Sequence, residues 1–391
     1  MRRFLAVLLV LAFATSILSA QDDLTQKARR IQSQVIGIDS HNDTMQRVLI
    51  EHFDVGKRND TGQVDLPRLR EGGMHAPFFA LWVPTYYHGA EAVRRTLELR
   101  DALQGVLDKY PDQVELATSA ADVERIVKSG KIAAIASLEG GHQIDNDLGV
   151  LREYRRRGIM AMTLTHFKNN DWADSSTDTP AHNGLTDFGR EVVREMNRIG
   201  MMVDISHVSD KTFYDGLEVT TKPVIATHSS CRALADIPRN MTDDMLRALA
   251  KNGGVVGINF AGGFVNNKDA ESIRSTIGRL NAAEPNLTGA ELDAYAAKEH
   301  LAEDRSHAHT QNATLDDVVA QIDHAVKVAG IDHVGIGTDY DGIPTVPVGL
   351  EDVSKMPALT AALLKEGYNE QDIKKIMGGN TLRVMREVVG R

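Results

Sequence analysis

The sequence predicts a single (β/α)8 barrel, an α/β fold of TIM-barrel type with long βα-loop insertions. Three observations carry that expectation. Eight short apolar runs are spread along the chain, stretches of helical length lie between them, and each run ends in polar residues where a βα loop begins. The alternation is that of βαβ units, which build a parallel sheet. Eight such units favour closure into a barrel over an open doubly wound sheet, which would gather its chemistry at one crevice in the strand order.

In chain order the expected strands are residues 35–40, 76–83, 132–138, 160–165, 202–206, 224–227, 255–260 and 333–338. Amphipathic stretches at 91–107, 187–198, 243–252 and 315–329 supply intervening helices. Two segments exceed the bare barrel: 51–70, after the first strand, and 266–314, before the last of those helices. Both are long, polar and rich in Asp, Asn and Gly. Insertions of that kind in a compact fold are usually lids or walls of a site.

At 391 residues, 42% hydrophobic and 25% charged, the chain can bury a large core. Its net charge of -10 is scattered, with no basic stripe, so nucleic acid is not an expected partner. Met1-Arg2-Arg3, an apolar run over 4–18 and Ser19-Ala20 before Gln21-Asp22-Asp23 form a signal-peptide pattern. Residues 1–20 are the expected signal peptide and 21–391 the single domain. The run is shorter than the roughly 20 apolar residues that span a bilayer. The expectation is therefore an exported protein, periplasmic or secreted, with no stable membrane anchor. Cys231 is the only cysteine, so no intrachain disulfide forms; beside His228-Ser229-Ser230 it reads as a buried thiol near the site. A homodimer is compatible with the sequence.

The strand ends carry the chemistry. They read Asp39-Ser40-His41-Asn42-Asp43, Glu139-Gly140-Gly141, Thr165-His166, Asp204-Ile205-Ser206-His207, Thr227-His228-Ser229 and Thr338-Asp339-Tyr340-Asp341-Gly342. A single histidine at such a position is ordinary. Histidines and acids at six of eight strand ends are not, because barrel enzymes place their active sites there. Side chains two apart on a strand point the same way, so His41 and Asp43 can hold one metal ion together. Imidazole and carboxylate suit zinc and related divalent ions. Glu139 is the natural bridge, since a carboxylate has two oxygens to share. Two ions ~3.5–4 Å apart activate water and polarise the bond it attacks, which points to hydrolysis. His52, His75, His88, His142, His182, His300, His307, His309, His324 and His333 end no expected strand and are read as non-ligands. His307 and His309 are expected to be solvated, and His142, three residues after Glu139, is the one placed to support a ligand from behind.

With their surroundings these residues resemble the membrane (renal) dipeptidase family of the metal-dependent amidohydrolase superfamily. The matching segments include Asp39–Asp43, Asp65-Leu-Pro-Arg-Leu-Arg-Glu-Gly-Gly73, Glu139-Gly-Gly-His-Gln-Ile-Asp145, Leu164-Thr-His166, Asp204-Ile-Ser-His207, His228-Ser-Ser230, Arg239-Asn240, Gly337-Thr-Asp-Tyr-Asp-Gly342 and Gly379-Asn-Thr-Leu-Arg383. The similarity runs from about Val35 to the carboxyl-terminal helix. It implies two Zn2+ ions per chain, His41 and Asp43 holding one, His207 and His228 the other, with Glu139 bridging. It also implies that Asp339, rather than Asp341, takes the proton of the attacking water and delivers it to the leaving amine. His166 would stabilise the oxyanion, and Arg239, with Asn240 beside it, would bind the substrate, the guanidinium clamping its carboxylate. The implied substrates are dipeptides, D-residues at the carboxyl-terminal position included. One departure stands out: Phe264 lies where animal relatives carry a tyrosine, removing a hydroxyl near the substrate carboxylate. Two other functions compete, a hydrolase of another amide, lactam or ester on the same metal core, and a catalytically silent zinc-binding protein. Asp339 argues against the silent protein, which has no use for an acid beside the water.

Overall fold

The computed structural model of the chain describes residues 23–283, 285–302 and 310–390. The expected signal peptide and the His307–His309 pair lie outside the described residues.

Eight parallel strands close into a barrel: β1 (Gly37–Asn42), β2 (Met74–Trp82), β3 (Ile132–Glu139), β4 (Ile159–Thr163), β5 (Met202–Asp204), β6 (Ile225–Ser229), β7 (Val255–Ile258) and β8 (Val334–Ile336). Each falls within two residues of its expected bounds. Closure is made by β1 pairing with both β2 and β8, Asp39 lying opposite Ile336, and by β2 pairing with β3 from Phe78–Ile135 to Trp82–Glu139. Nearly every strand residue is buried, because both faces are covered as in any parallel sheet wrapped by helices, and the polar ones gather toward the carboxyl-terminal ends. Ile38, Phe78, Ile135, Met160, Met202, Ile225 and Val255, one from each of seven strands, form a cluster of their own. It is joined by Leu382, Val384, Met385 and Val388 of the carboxyl-terminal helix Asn380–Val388.

The expected helices appear as Ala90–Lys109, Asp187–Ile199, Asp243–Asn252 and Leu315–Ala329. Their ends follow local chemistry. The Thr186 and Thr242 side chains accept from the backbone N–H of Gly189 and Met245, and Gly200 and Gly253 close the two helices in the left-handed conformation.

The second insertion differs from a bare polar wall. It folds into helices Ala270–Ala282 and Gly289–Ala302, and the apolar residues of the second are too weakly periodic to mark it in the sequence. The second of these is tied to the carboxyl-terminal end of the barrel. Asp293 accepts from Tyr87 (2.9 Å) and Arg94 (2.8 Å), and His300 Nε2 lies 2.9 Å from Glu51 Oε1. The first insertion loops back so that the Gln63 N–H reaches Asp341 Oδ1 at 2.8 Å. Two short elements also escape sequence reading. Val114–Leu116 pairs with the start of β3, and Thr310–Thr314 pairs with Val346–Val348. Among the described residues no helix is long and apolar enough to cross a membrane.

Candidate active site

The histidines and acids of the strand ends converge on one point. Glu139, the last residue of β3, turns its two carboxylate oxygens to opposite sides. Oε1 lies 2.9 Å from His207 Nε2 and 3.2 Å from His228 Nε2, while Oε2 lies 3.5 Å from His41 Nε2. His41 Nε2 is in turn 3.7 Å from Asp43 Oδ1 and 3.9 Å from Asp339 Oδ1. The His41 and His228 rings stack at 3.7 Å. All of these residues are buried.

Not every group arrives as strand alternation predicts. Asp43 lies just past β1, at the amino-terminal cap of helix Thr44–Ile50, and reaches His41 from there. Its approach requires Gly342, where a Cβ would stand 1.8 Å from Asp43 Oδ2. His166 and His207 lie three residues beyond β4 and β5, and His207 takes a left-handed φ of 66°. Strain of that kind persists only where the surroundings hold it. Here Ser175 Oγ donates to the His166 carbonyl (2.6 Å), and Ser176 N–H donates to that of His207 (2.8 Å).

The electrostatics suit a cation. Burial, with the nearby Arg239 charge, holds His207 and His228 well below the ordinary imidazole range, so both are neutral and offer lone pairs. Their Nε2 atoms nevertheless stand 3.0 Å apart beside Glu139 Oε1. His41 Nε2 and Asp43 Oδ1 are buried without a hydrogen-bond partner. Burial opposes charge on His41, yet Glu139 and Asp43 outweigh it and push its pKa well up; Glu139 itself is raised by burial and by Asp43. Lone pairs crowded together with orphaned buried atoms are what a divalent ion relieves, so the donor set fits metal binding. Among the described residues, the groups able to hold an ion are drawn from His41, Asp43, Glu139, His166, His207, His228 and Asp339.

Partners behind these residues fix their proton positions. Asp204 Oδ2 accepts from Thr227 Oγ1 at 2.6 Å, so that hydroxyl has only its lone pairs left for His228 Nδ1, 2.9 Å away. His228 therefore carries its proton on Nδ1 and turns a bare Nε2 to the cluster. His166 is set the other way. Trp82 Nε1–H donates to its Nδ1 at 3.2 Å, and burial keeps the ring neutral, its pKa well below the ordinary value. The proton then sits on Nε2, which makes His166 a hydrogen-bond donor at the cluster rather than a ligand. His142, the expected supporter, is not in this layer. Its ring lies by Gly140, where a Cβ would come within 2.6 Å of it.

The two aspartates after β8 separate cleanly. Asp341 faces away, accepting from Gln63 N–H (2.8 Å) and Thr44 Oγ1 (2.7 Å) beside Arg47. Asp339 faces the cluster with a single side-chain donor, Asn259 Nδ2 at 2.8 Å. Burial raises its pKa to about 8, Asp43 and Glu139 adding to the rise against the pull of His41.

A cavity of about 470 Å³ opens over this cluster, lined by Asp43, Glu139, His166, His207, Asp339, Arg239 and Phe264, with Ile273 and Glu299 of the second insertion as walls. Arg239 is buried. Its guanidinium donates to the His228 carbonyl (3.1 Å) and the Ser229 hydroxyl (3.4 Å) and lies 5.1 Å from the centre of the Phe264 ring, and its Nε has no partner. Among the described residues no carboxylate stands within ion-pair distance of it. Asn240, expected to bind substrate, does not line the cavity; its amide donates to the Ala235 (2.8 Å) and Phe264 (2.9 Å) carbonyls and holds that loop.

Comparison with known proteins agrees with this geometry. The family model "Membrane dipeptidase (Peptidase family M19)" matches residues 25–390. The chain belongs to the membrane dipeptidase family. It is 37% identical to dipeptidase tcpJ of Claviceps purpurea, over 94% of this chain and 81% of that one, and 35% identical to dipeptidase verJ of Clonostachys rogersoniana, over 94% and 88%. Among solved structures it is similar to the probable dipeptidase PvdM of Pseudomonas aeruginosa (TM-score 0.78, 28% identity, 94% of this chain and 98% of that). It is also similar to a metallopeptidase from Rhodobacter sphaeroides liganded with a phosphinate mimic of the dipeptide L-Ala-D-Ala (TM-score 0.75, 26% identity, 90% and 99%). The chain is thus a hydrolase of a metallodipeptidase family on a (β/α)8 barrel.

Trp82 and Asn259, which orient His166 and Asp339, were not singled out in the sequence, and Asp204 and Thr227, which orient His228, stood at the quoted strand ends without a role of their own. The only local hint was the Thr227-His228 pair. The other partners stand far along the chain from the groups they orient. Cys231 is buried as expected, its N–H on Gln321 Oε1 (2.7 Å) and its thiol pushed up to about 12 by burial.

Proposed function

We propose that the protein is a two-zinc dipeptidase, with His41 and Asp43 holding one ion, His207 and His228 the other, and Glu139 bridging them. The observation that carries the substrate class is Arg239, a buried guanidinium without a carboxylate of its own, lining the same cavity as the cluster. A dipeptide supplies the missing carboxylate one residue beyond the bond to be cut. When bound, the two ions supply an activated water and polarise the scissile carbonyl. The chain's own groups do the rest. Asp339, facing the cluster with Asn259 as its one side-chain donor, accepts the proton of the attacking water and passes it to the leaving amine. His166 turns its Nε2–H toward the oxygen that gains charge. Asn259 keeps Asp339 in line, and Phe264 covers the face of Arg239.

The Rhodobacter relative, liganded with a mimic of L-Ala-D-Ala, supports acceptance of a D-residue at the carboxyl-terminal position. The pattern of residues 1–20 supports a chain working after export, which amino-terminal sequencing of the mature protein from cells would test.

The deciding experiment measures metal content together with hydrolysis of L-Ala-L-Ala and L-Ala-D-Ala, before and after a chelator and with zinc restored. The expected result is about two ions per active chain, mostly zinc, with activity lost and regained. Full activity with one ion or none would overturn the two-metal reading, and intact dipeptides in the metal-loaded protein would overturn the dipeptidase.

A further inference from the structure

Helix Gly289–Ala302, which walls the cavity through Glu299 and Ala302, is tied to the barrel at two points, and only one of them leads inward. Its buried residues Leu292, Ala296 and His300 fall four apart on one face. Toward the amino-terminal end of that helix Asp293 meets Tyr87 and Arg94. Arg94 otherwise pairs with Glu91 and Glu98 of its own helix, so this tie ends on Ala90–Lys109.

At the other end the contacts continue. His300 Nε2 lies 2.9 Å from Glu51 Oε1, and the same carboxylate accepts from Arg47, Nε to Oε1 at 3.1 Å and Nη2 to Oε2 at 2.9 Å. The remaining guanidinium nitrogen, Nη1, stands 3.6 Å from Asp341 Oδ1, and Asp341 is two residues beyond Asp339 in the same turn.

Arg47 is built into this place. It is buried, its guanidinium lies 4.1 Å from the centre of the Phe53 ring, and it donates to Thr61 Oγ1 at 3.1 Å. A Cβ on Gly62 would stand 1.6 Å from Nη1, and Gly62 takes a left-handed φ of 74°, so glycine is what admits the guanidinium there. The turn it reaches needs holding. Asp339 and Asp341 both take left-handed φ values, 62° and 63°, which persist in residues other than glycine only where neighbours enforce them. Burial opposes the charge of Asp341 and Arg47 supports it. A buried carboxylate deprived of its cation would loosen the turn it anchors.

We propose that Arg47 is a positioning residue for the reaction: through His300, Glu51, Arg47 and Asp341, the helix that walls the cavity sets the turn carrying Asp339, so the proton acceptor is in place when that wall is seated. His300 fixes one oxygen of Glu51. Without it that partly exposed carboxylate is free to turn to water, and Arg47 keeps one hold instead of two. The inference rests on the reading of Asp339 as the proton acceptor, but none of His300, Glu51 and Arg47 lines the cavity over the cluster.

The test measures kcat, KM and metal content with L-Ala-L-Ala for His300→Leu, Glu51→Gln and Arg47→Lys, with Asp293→Asn breaking the other tie. Lysine keeps the charge of Arg47 but has no planar fork to span two carboxylates. Each of the first three should lose roughly 2- to 12-fold in kcat, the equivalent of one hydrogen bond, with KM and metal content unchanged. His300→Gln, which keeps an N–H donor for Glu51, should recover most of what His300→Leu loses. Because His300 acts through Arg47, the double variant of His300→Leu and Arg47→Lys should be no slower than Arg47→Lys alone, whereas any loss in Asp293→Asn should multiply with that of Arg47→Lys. If Arg47→Lys does not fold, the kcat of Glu51→Gln and the recovery in His300→Gln decide alone. The proposal is overturned by an unchanged kcat in Glu51→Gln and His300→Leu, by losses that multiply in the His300–Arg47 double variant, or by metal lost together with activity, which would put these contacts behind the ligands rather than the base. Those results leave the dipeptidase standing. A metal-loaded wild type that leaves the dipeptide intact removes the dipeptidase reading itself, and with it the base that Arg47 places.

Discussion

Replacing Arg239 by Met removes the charge from the cavity while keeping an unbranched side chain over Phe264, and the structure sets the size of the loss. Burial holds the guanidinium down to about 10, against Asp339 and Glu139, which pull it up. Measured from the usual arginine range above 12, that is roughly 3 kcal/mol of unfavourable burial at 1.36 kcal/mol per tenfold. A carboxylate docked on the cation offsets most of it, and truncating one partner of a desolvated charge pair costs about 2–5 kcal/mol. On a dipeptide, kcat/KM should therefore fall by about two orders of magnitude in Arg239→Met, with metal content unchanged. Amidating the dipeptide should produce a similar loss on wild type, because the guanidinium is again left without its partner. A tripeptide should also be poor, its carboxylate being carried one residue too far. On the variant, dipeptide and amide should be cut at the same low rate. The reasoning is refuted if wild type cleaves dipeptide, amide and tripeptide alike, or if the variant still tells the dipeptide from its amide.

Other substitutions separate the remaining roles. Asp339→Asn should keep its metal and lose ~10²–10⁴-fold in kcat, since an amide cannot carry the proton, whereas Glu139→Gln should lose metal and activity together; metal analysis beside kinetics distinguishes them, and a normal rate in Asp339→Asn would move the base elsewhere. Trp82→Phe frees His166 to shift its proton to Nδ1, so kcat for a small dipeptide should fall by roughly 2- to 12-fold, the equivalent of one hydrogen bond, and an unchanged kcat would remove Trp82 from the mechanism. Burial alone would raise Glu51, but hydrogen bonds from His300 and Arg47 bring its pKa down from 4.5 to about 2. Its contribution to stability is thus present above about pH 4.5 and is lost as pH falls toward 2. The Tm difference between wild type and Glu51→Gln, about 1 kcal/mol of stability after solvent screening at pH 6, should shrink by pH 3, and a difference independent of pH would dismiss the pair.

The barrel was legible in the sequence because a strand buried on both faces begins as a short apolar run, and at six of the eight that run gives way to the histidines and acids of the site. Helices with a strong apolar stripe and a threonine cap, such as Asp187–Ile199 and Asp243–Asn252, were legible to within a residue or so. Gly289–Ala302 was not, because its apolar residues are spread around the helix and impose no period. Within the site, residue type announced the histidines and acids but not their tautomers or orientation. Those depend on contacts such as Trp82 with His166 and Asn259 with Asp339, 84 and 80 positions apart. Asn240 shows the limit from the other side. Standing next to Arg239 in the chain, it points its amide at backbone carbonyls and acts on the site only through the Phe264 loop.

Six acids crowd the carboxyl-terminal end of the barrel, and their hydrogen bonds divide them in a way that composition cannot. Asp39, Asp204 and Asp341 are saturated. Asp39 accepts from Thr338 N–H and Oγ1 and from His41 N–H; Asp204 from Thr163 and Thr227 hydroxyls and from Ser206 and Thr227 N–H; Asp341 from Gln63 N–H and Thr44 Oγ1. Asp43, Glu139 and Asp339 are not. Asp43 Oδ1 has no partner, the Glu139 oxygens meet only imidazole nitrogens among the described residues, and Asp339 has Asn259 alone as a side-chain donor. A buried acceptor left unpaired costs about 1–3 kcal/mol, more when charged, so a fold keeps such groups only where a ligand completes them. Each saturated acid also spans two elements that carry the unsaturated groups and the histidines. Asp39 joins the His41 backbone to the residue before Asp339, Asp204 joins the segments of His207 and His228, and Asp341 joins the loop of Asp339 to the helix that Asp43 caps. Removing a saturated acid should therefore disturb the spacing of the cluster without taking a ligand from it, so Asp204→Asn, which cannot accept all four donors, is expected to weaken metal binding although Asp204 touches none of the proposed ions. Unaltered metal affinity in that variant would mean that the histidines are held by packing alone.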